Sequence, residues 1–107
     1  MASFFTTAFY HFVTLTDIKS TQTIIQDYCD KVSIKGTILL ANEGINGTIS
    51  GDEKNILKFH EFIKNDFIFS KAFEALDYKG SWSNKNPFYR MKVRLKKEIV
   101  TLGIPEV

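Results

Sequence analysis

Residues 35–51, KGTILLANEGINGTISG, constrain the fold more than any other stretch of this chain. Thr37-Ile38-Leu39-Leu40-Ala41 is a short apolar run, the length and composition of a buried strand rather than a helix. Asn42-Glu43-Gly44-Ile45-Asn46-Gly47 breaks it with two glycines and two asparagines, the residue types that tolerate the positive φ of a reversing turn. Gly47-Thr48-Ile49-Ser50 resumes an extended pattern, and Gly51-Asp52 ends it before a helical period begins. A strand, a tight turn and a second strand commit the chain to a sheet.

The flanks supply the rest of that sheet. Thr6 to Thr14, TTAFYHFVT, is aromatic and β-branched, and is apolar on both faces as a central strand would be. Thr16-Asp17 or Ser20 can cap a first helix over about Ser20 to Val32, where Ile24, Tyr28 and Val32 recur every four residues beside Ile25 and Cys29. Asp52 caps a second helix with Ile56, Phe59, His60 and Ile63 on one face and Leu57 and Phe62 flanking it. Asp66 to Ala72 fits either a helix extension or a turn, and Phe73 to Lys79 looks extended. Gly80 to Pro87, GSWSNKNP, reads as a polar loop. Phe88 to Leu95 alternates cleanly as a strand, with Glu98 to Thr101 continuing it after a bend at Lys96-Lys97. The order β-α-β-β-α-β, with room for one more short strand, predicts an α+β ferredoxin-like sandwich: an antiparallel sheet with two helices on one face. A chain of 107 residues is one domain, large enough to bury roughly 65% of the surface its unfolded form exposes. Ten phenylalanines imply a core of large rings, with some left over for a neighbour.

ANEGINGTISG, taken with RMKVRLKKEIVTLG from Arg90 to Gly103, resembles the N-terminal domain of the bacterial tRNA uridine 5-hydroxylases, a rhodanese-related family. The resemblance runs from about Phe9 to Gly103, and EGING in its strand-turn-strand setting is its more specific part. It implies the same ferredoxin-like, acylphosphatase-like fold. It also implies a parent protein that hydroxylates the wobble uridine of tRNA with molecular oxygen, using a cysteine in a rhodanese-like domain. On that reading residues 1–103 are the N-terminal domain and 104–107 begin a linker to an absent rhodanese-like domain. The implied partners are tRNA and that second domain of the same polypeptide.

The residues themselves point to binding rather than catalysis. Seven of the fourteen basic residues fall between Lys79 and Lys97, with no acid among them. Arg90, Lys92, Arg94 and Lys96 recur at spacing two, so on a strand they share one face while Met91, Val93 and Leu95 take the other. Cations about 7 Å apart can follow a phosphate backbone. With Lys85, and with Tyr89 and Trp82 as rings able to stack on unpaired bases, they form the candidate RNA-binding set. The same charges also suit an edge strand guarded against aggregation. Exposed Arg90, Lys92 and Arg94 would favour RNA; pairing with Glu74 and Asp77 would favour an RNA-independent scaffold or dimerisation module of a rhodanese-related sulfurtransferase.

Asn42, Glu43, Gly44, Asn46 and Gly47 form a candidate turn or interface; Glu43 has no second acid, His or Cys near it in sequence for chemistry. Cys29 lies on the apolar face of its helix, and a lone cysteine excludes both an intramolecular disulfide and a cysteine-based zinc site. His11 and His60 sit in apolar patterns away from any ligand set. The acylphosphatase phosphate loop would fall at Val13 to Asp17, which has neither Gly nor Arg. The chain alone is therefore expected to be inactive, with no metal or cofactor of its own. With no apolar run of membrane length and no signal-peptide pattern, it is expected to be cytoplasmic.

Overall fold

Five strands and two helices follow one another in the computed structural model, which describes residues 3–66 and 72–97. They are β1 (Phe4–Phe12), α1 (Ile18–Lys31), β2 (Lys35–Ala41), β3 (Gly44–Gly51), α2 (Glu53–Asn65), β4 (Tyr78–Ser83) and β5 (Met91–Leu95). The sheet order is β4-β1-β3-β2-β5. The first four strands pair antiparallel, and β5 joins the far edge parallel to β2. The ferredoxin-like α+β fold is thus present, with one strand added.

Local chemistry sets the element ends. Asp17 caps α1, its carboxylate accepting from the Ser20 backbone N–H, so the helix begins at Ile18 rather than near Ser20. Asp52 caps α2 by accepting from the Lys54 N–H, and Glu53 places negative charge at the positive end of the helix dipole. The turn between β2 and β3 is only Asn42-Glu43, two residues instead of the six expected. Gly44, at φ 154, takes the backbone conformation that a side chain would strain, and Asn46 and Gly47 already belong to β3. Gly47 is there for closeness: a Cβ would stand 2.8 Å from the Phe9 ring and 2.9 Å from Ile38.

The largest correction concerns the last strands. The final β of the β-α-β-β-α-β unit is β4, lying where the sequence reads as extended chain and polar loop, and the basic strand is the extra one. β4 forms because β1 offers it a full register, from Phe4 opposite Ser83 to Phe9 opposite Tyr78. The Phe5 ring lies over Gly80 and meets Trp82 at 4.9 Å, covering the face of β4 that carries Tyr78, Gly80 and Trp82. The ambiguous segment's residues 67–71, the continuation at Glu98 to Thr101 and the linker at 104–107 lie outside the described residues.

Both helices pack on one side of the sheet, α1 against β2 and β5, α2 against β1 and β3. Ile38, Leu40, Ile45 and Ile49 meet Ile25, Cys29, Phe59, Ile63, Phe73 and Leu76 there, all fully buried. Each large apolar side chain so buried contributes about 1.5–3 kcal/mol. Among the described residues, no helix lies on the other side of the sheet.

Candidate nucleic-acid interface

The cationic strand forms as its alternation requires. Met91 and Val93 are buried against α1, while Arg90, Arg94 and Lys96 are exposed and Lys92 is half-buried on the opposite face. The ladder continues past both ends of β5, since the Gly36 N–H donates to the Arg90 carbonyl and the Lys96 N–H to the Leu40 carbonyl. Glu74 and Asp77 precede β4, at the opposite edge of the sheet from β5.

An edge strand normally leaves a row of backbone groups open. Here α1 occupies part of that row, at Met91 and Val93. Gln26 accepts from the Val93 N–H at 3.0 Å and donates to the Met91 carbonyl at 3.2 Å, and Gln22 donates to the Val93 carbonyl at 2.6 Å. Sequence reasoning missed both glutamines. Their signal was an i, i+4 pair of amides, able to donate and accept, beside the apolar stripe of a helix. Their presence changes the meaning of the charges, because an edge already bonded to side chains has less need of charge to repel another strand.

The aromatic candidates divide. Tyr89 is 97% exposed beside Arg90, and Pro87, Phe88, Tyr89, Arg90, Lys92 and Thr37 line a hollow of about 290 Å³. Lys85 is exposed in the connection from β4 to β5, where its carbonyl accepts from the Ser83 hydroxyl. Trp82 lies on β4 at the other edge, packed on Phe5, and shares no surface with the ladder. Two exposed rings on β1, Tyr10 and Phe12, were not singled out at all.

The Asn42–Gly47 segment acts as a clasp. The Leu15 N–H donates to the Asn42 carbonyl at 2.8 Å, the Val13 N–H donates to the Glu43 carbonyl at 3.0 Å, and the Asn42 side chain donates to the Leu15 carbonyl at 2.9 Å. These bonds use backbone N–H groups of the β1–α1 connection, the place where an acylphosphatase would cradle phosphate.

The other titratable candidates are buried. Burial, with the Asp30 charge adding to it, pushes the Cys29 thiol up to about 12, so it holds its proton and is a poor nucleophile. Burial, with Lys64 adding to it, lowers His60 to about 4 and keeps the ring neutral. Its Nε2 lies 2.8 Å from the Thr7 hydroxyl and its ring stacks on Tyr78 at 3.9 Å. His11 is half-buried on β1. Among the described residues no group of three or more His, Cys, Asp or Glu is placed to hold a metal, and no helix is long and apolar enough to cross a membrane.

Fold and site together define an acylphosphatase-like sandwich domain with a cationic edge. The chain belongs to the family described as UPF0176 acylphosphatase like domain, which matches residues 4–99. It is 47% identical over 107 residues to the tRNA uridine(34) hydroxylase of Acaryochloris marina, covering all of this chain and 33% of that protein. It is 42% identical over 104 residues to the tRNA uridine(34) hydroxylase of Rhizobium leguminosarum bv. trifolii, covering 97% of this chain and 32% of that protein. The chain thus spans about a third of the length of the curated relatives it matches. Among solved structures, the BLUF protein BlrB in its dark state superposes with a TM-score of 0.71 at 16% identity, over 96% of this chain and 80% of that one. Full-length HypF superposes at 0.54 with 14% identity, over 87% of this chain and 12% of that one. These likenesses carry the fold alone.

Proposed function

We propose that this chain holds tRNA for an enzyme that hydroxylates uridine 34, and that the chemistry lies elsewhere in a longer cytoplasmic polypeptide against which it packs. The observation that carries the reading is the cationic ladder of Arg90, Lys92, Arg94 and Lys96, standing on an edge that Gln22 and Gln26 already bond at Met91 and Val93. The names of the relatives support tRNA as the nucleic acid. A buried thiol held near 12 supports a non-catalytic role.

The ladder contacts phosphates, so it gives affinity with little base preference. Removing two contacts, as in Arg90→Ala with Arg94→Ala, should lower the slope of log K against log salt by up to about 1.4 to 1.8. Unfolding free energy should stay within about 0.5 kcal/mol, because both side chains are exposed. The measurement is tRNA affinity of wild type and double variant across a salt series. Equal affinities and slopes would leave the RNA-independent scaffold as the better account.

A further inference from the structure

The side of the sheet that no described helix covers carries rings and amides that the ladder does not explain. Strand register places Tyr10, Asn46, Leu39 and Arg94 in one row across β1, β3, β2 and β5. Ala8, Thr48, Thr37 and Lys92 form the next row, with Lys79 of β4 beside Ala8. Tyr10 is 38% exposed and Phe12 is 59% exposed, and their rings touch at 5.1 Å. Beside Tyr10 lies a hollow of about 580 Å³, floored by Asn46 and Thr48 and rimmed by Lys79 and Asp77.

We propose that this open face binds an unpaired stretch of RNA, with bases stacked on Tyr10 and Phe12 and phosphates running to the cations at the sheet edges. The proposal rests on the RNA-binding reading above and adds base contacts on the face that Lys92 and Arg94 of the ladder border. Three observations carry it. Two large rings are left in solvent side by side on a central strand, where a monomeric sheet would ordinarily place polar residues. The strand positions sharing that face include Lys35, Lys79, Lys92 and Arg94 and no carboxylate; the acids nearby are Glu43 in the turn and Asp77 before β4. The floor beside Tyr10 offers a carboxamide and a hydroxyl, which can donate to and accept from the edge of a base. Rings, amide and flanking cations on a sheet surface suit single-stranded RNA, whose bases are free to splay; a duplex hides its bases and offers phosphates alone.

The test compares a fluorescein-labelled ten-nucleotide oligouridine with a ten-base-pair RNA duplex, titrated with the 107-residue chain. Tyr10→Ala and Phe12→Ala should each weaken oligouridine binding by about 5-fold to about 150-fold, the range for loss of one stacked base. They should leave duplex binding within 2-fold or so, since that rests on phosphate contacts. Tyr10→Phe keeps a ring and should restore most of the oligouridine affinity. Tyr10→Leu and Phe12→Leu retain apolar bulk and serve if the alanine variants fold poorly. In the wild-type chain, 4-thiouridine in the oligonucleotide should crosslink within Phe4–Phe12. Oligouridine affinity unchanged by ring loss, with Arg90→Ala/Arg94→Ala still weakening both RNAs, overturns the stacking surface and leaves the ladder intact; the face would then await a protein neighbour. Equal loss for oligouridine and duplex also overturns it. Affinities that no variant alters, or no RNA binding at all, would sink the ladder reading together with this one.

Discussion

On the helix side of the sheet, Ile38, Leu40, Ile45 and Ile49 have no exposure, and packing decides every neighbour. On the other side the same two strands present Thr37, Leu39, Asn46 and Thr48, half-buried and mostly polar. The two sets interleave along β2 and β3, so a slip of one residue would exchange them. Such a sheet specifies its register strongly through one face and leaves the other free for recognition. Substitutions should therefore divide by face: large effects on stability from the covered side, effects on affinity from the open one.

The covered side can be challenged most severely at Phe59, which is fully buried and stands 6.3 Å from the Phe9 ring. Phe59→Ala should cost about 3–5 kcal/mol in denaturant unfolding. A cost below about 1 kcal/mol would mean that the two faces are not energetically distinct.

His60 sharpens the comparison through pH. Its folded pKa of about 4 lies below the ordinary 6.5, with burial the larger cause and Lys64 the lesser. Between these values the unfolded chain binds a proton that the folded chain refuses, so stability falls as pH drops. This contribution is intact above about pH 6.5 and costs about 3 kcal/mol by pH 4. Comparing wild type with His60→Phe by denaturation at pH 7, 5.5 and 4 isolates it; parallel pH dependences would show that the ring is not held neutral.

The smallest effect belongs at the seam between the faces. Gln26→Ala removes the acceptor of the Val93 N–H and one donor to the Met91 carbonyl, and should cost about 1 kcal/mol. The loss should be local: faster hydrogen exchange at β5 amides with β1 and β3 unchanged. Uniform acceleration across the sheet would show that β5 does not open on its own.

Much of this architecture was legible because periodicity recorded burial. The helices announced themselves through Ile25–Cys29 and Ile56–Phe59–Ile63 spacing and through the carboxylates of Asp17 and Asp52. β5 showed itself as strict alternation of cation and apolar residue. β4 did not, because its Tyr78 and Trp82 are separated by Gly80 and set among Lys79, Ser81 and Ser83, so its mostly exposed residues read as a loop until β1 supplies the register. Asn46 and Gly47 misled for the opposite reason. Their local preference is for turns, but Gly47 lies in the sheet because only a residue without a side chain lets Phe9 and Ile38 close over it. The candidate site was half visible: charges can be counted in a sequence, whereas the bonds from Gln22 and Gln26 to the edge depend on residues 65 to 71 positions away.

That separation has a consequence in time. β5 gains its parallel partner and its glutamine bonds only after α1 and β2 are in place, and closing so long a loop costs entropy before either contact forms. The strand that bears the cations is therefore expected to form its contacts later than the local β2–β3 hairpin.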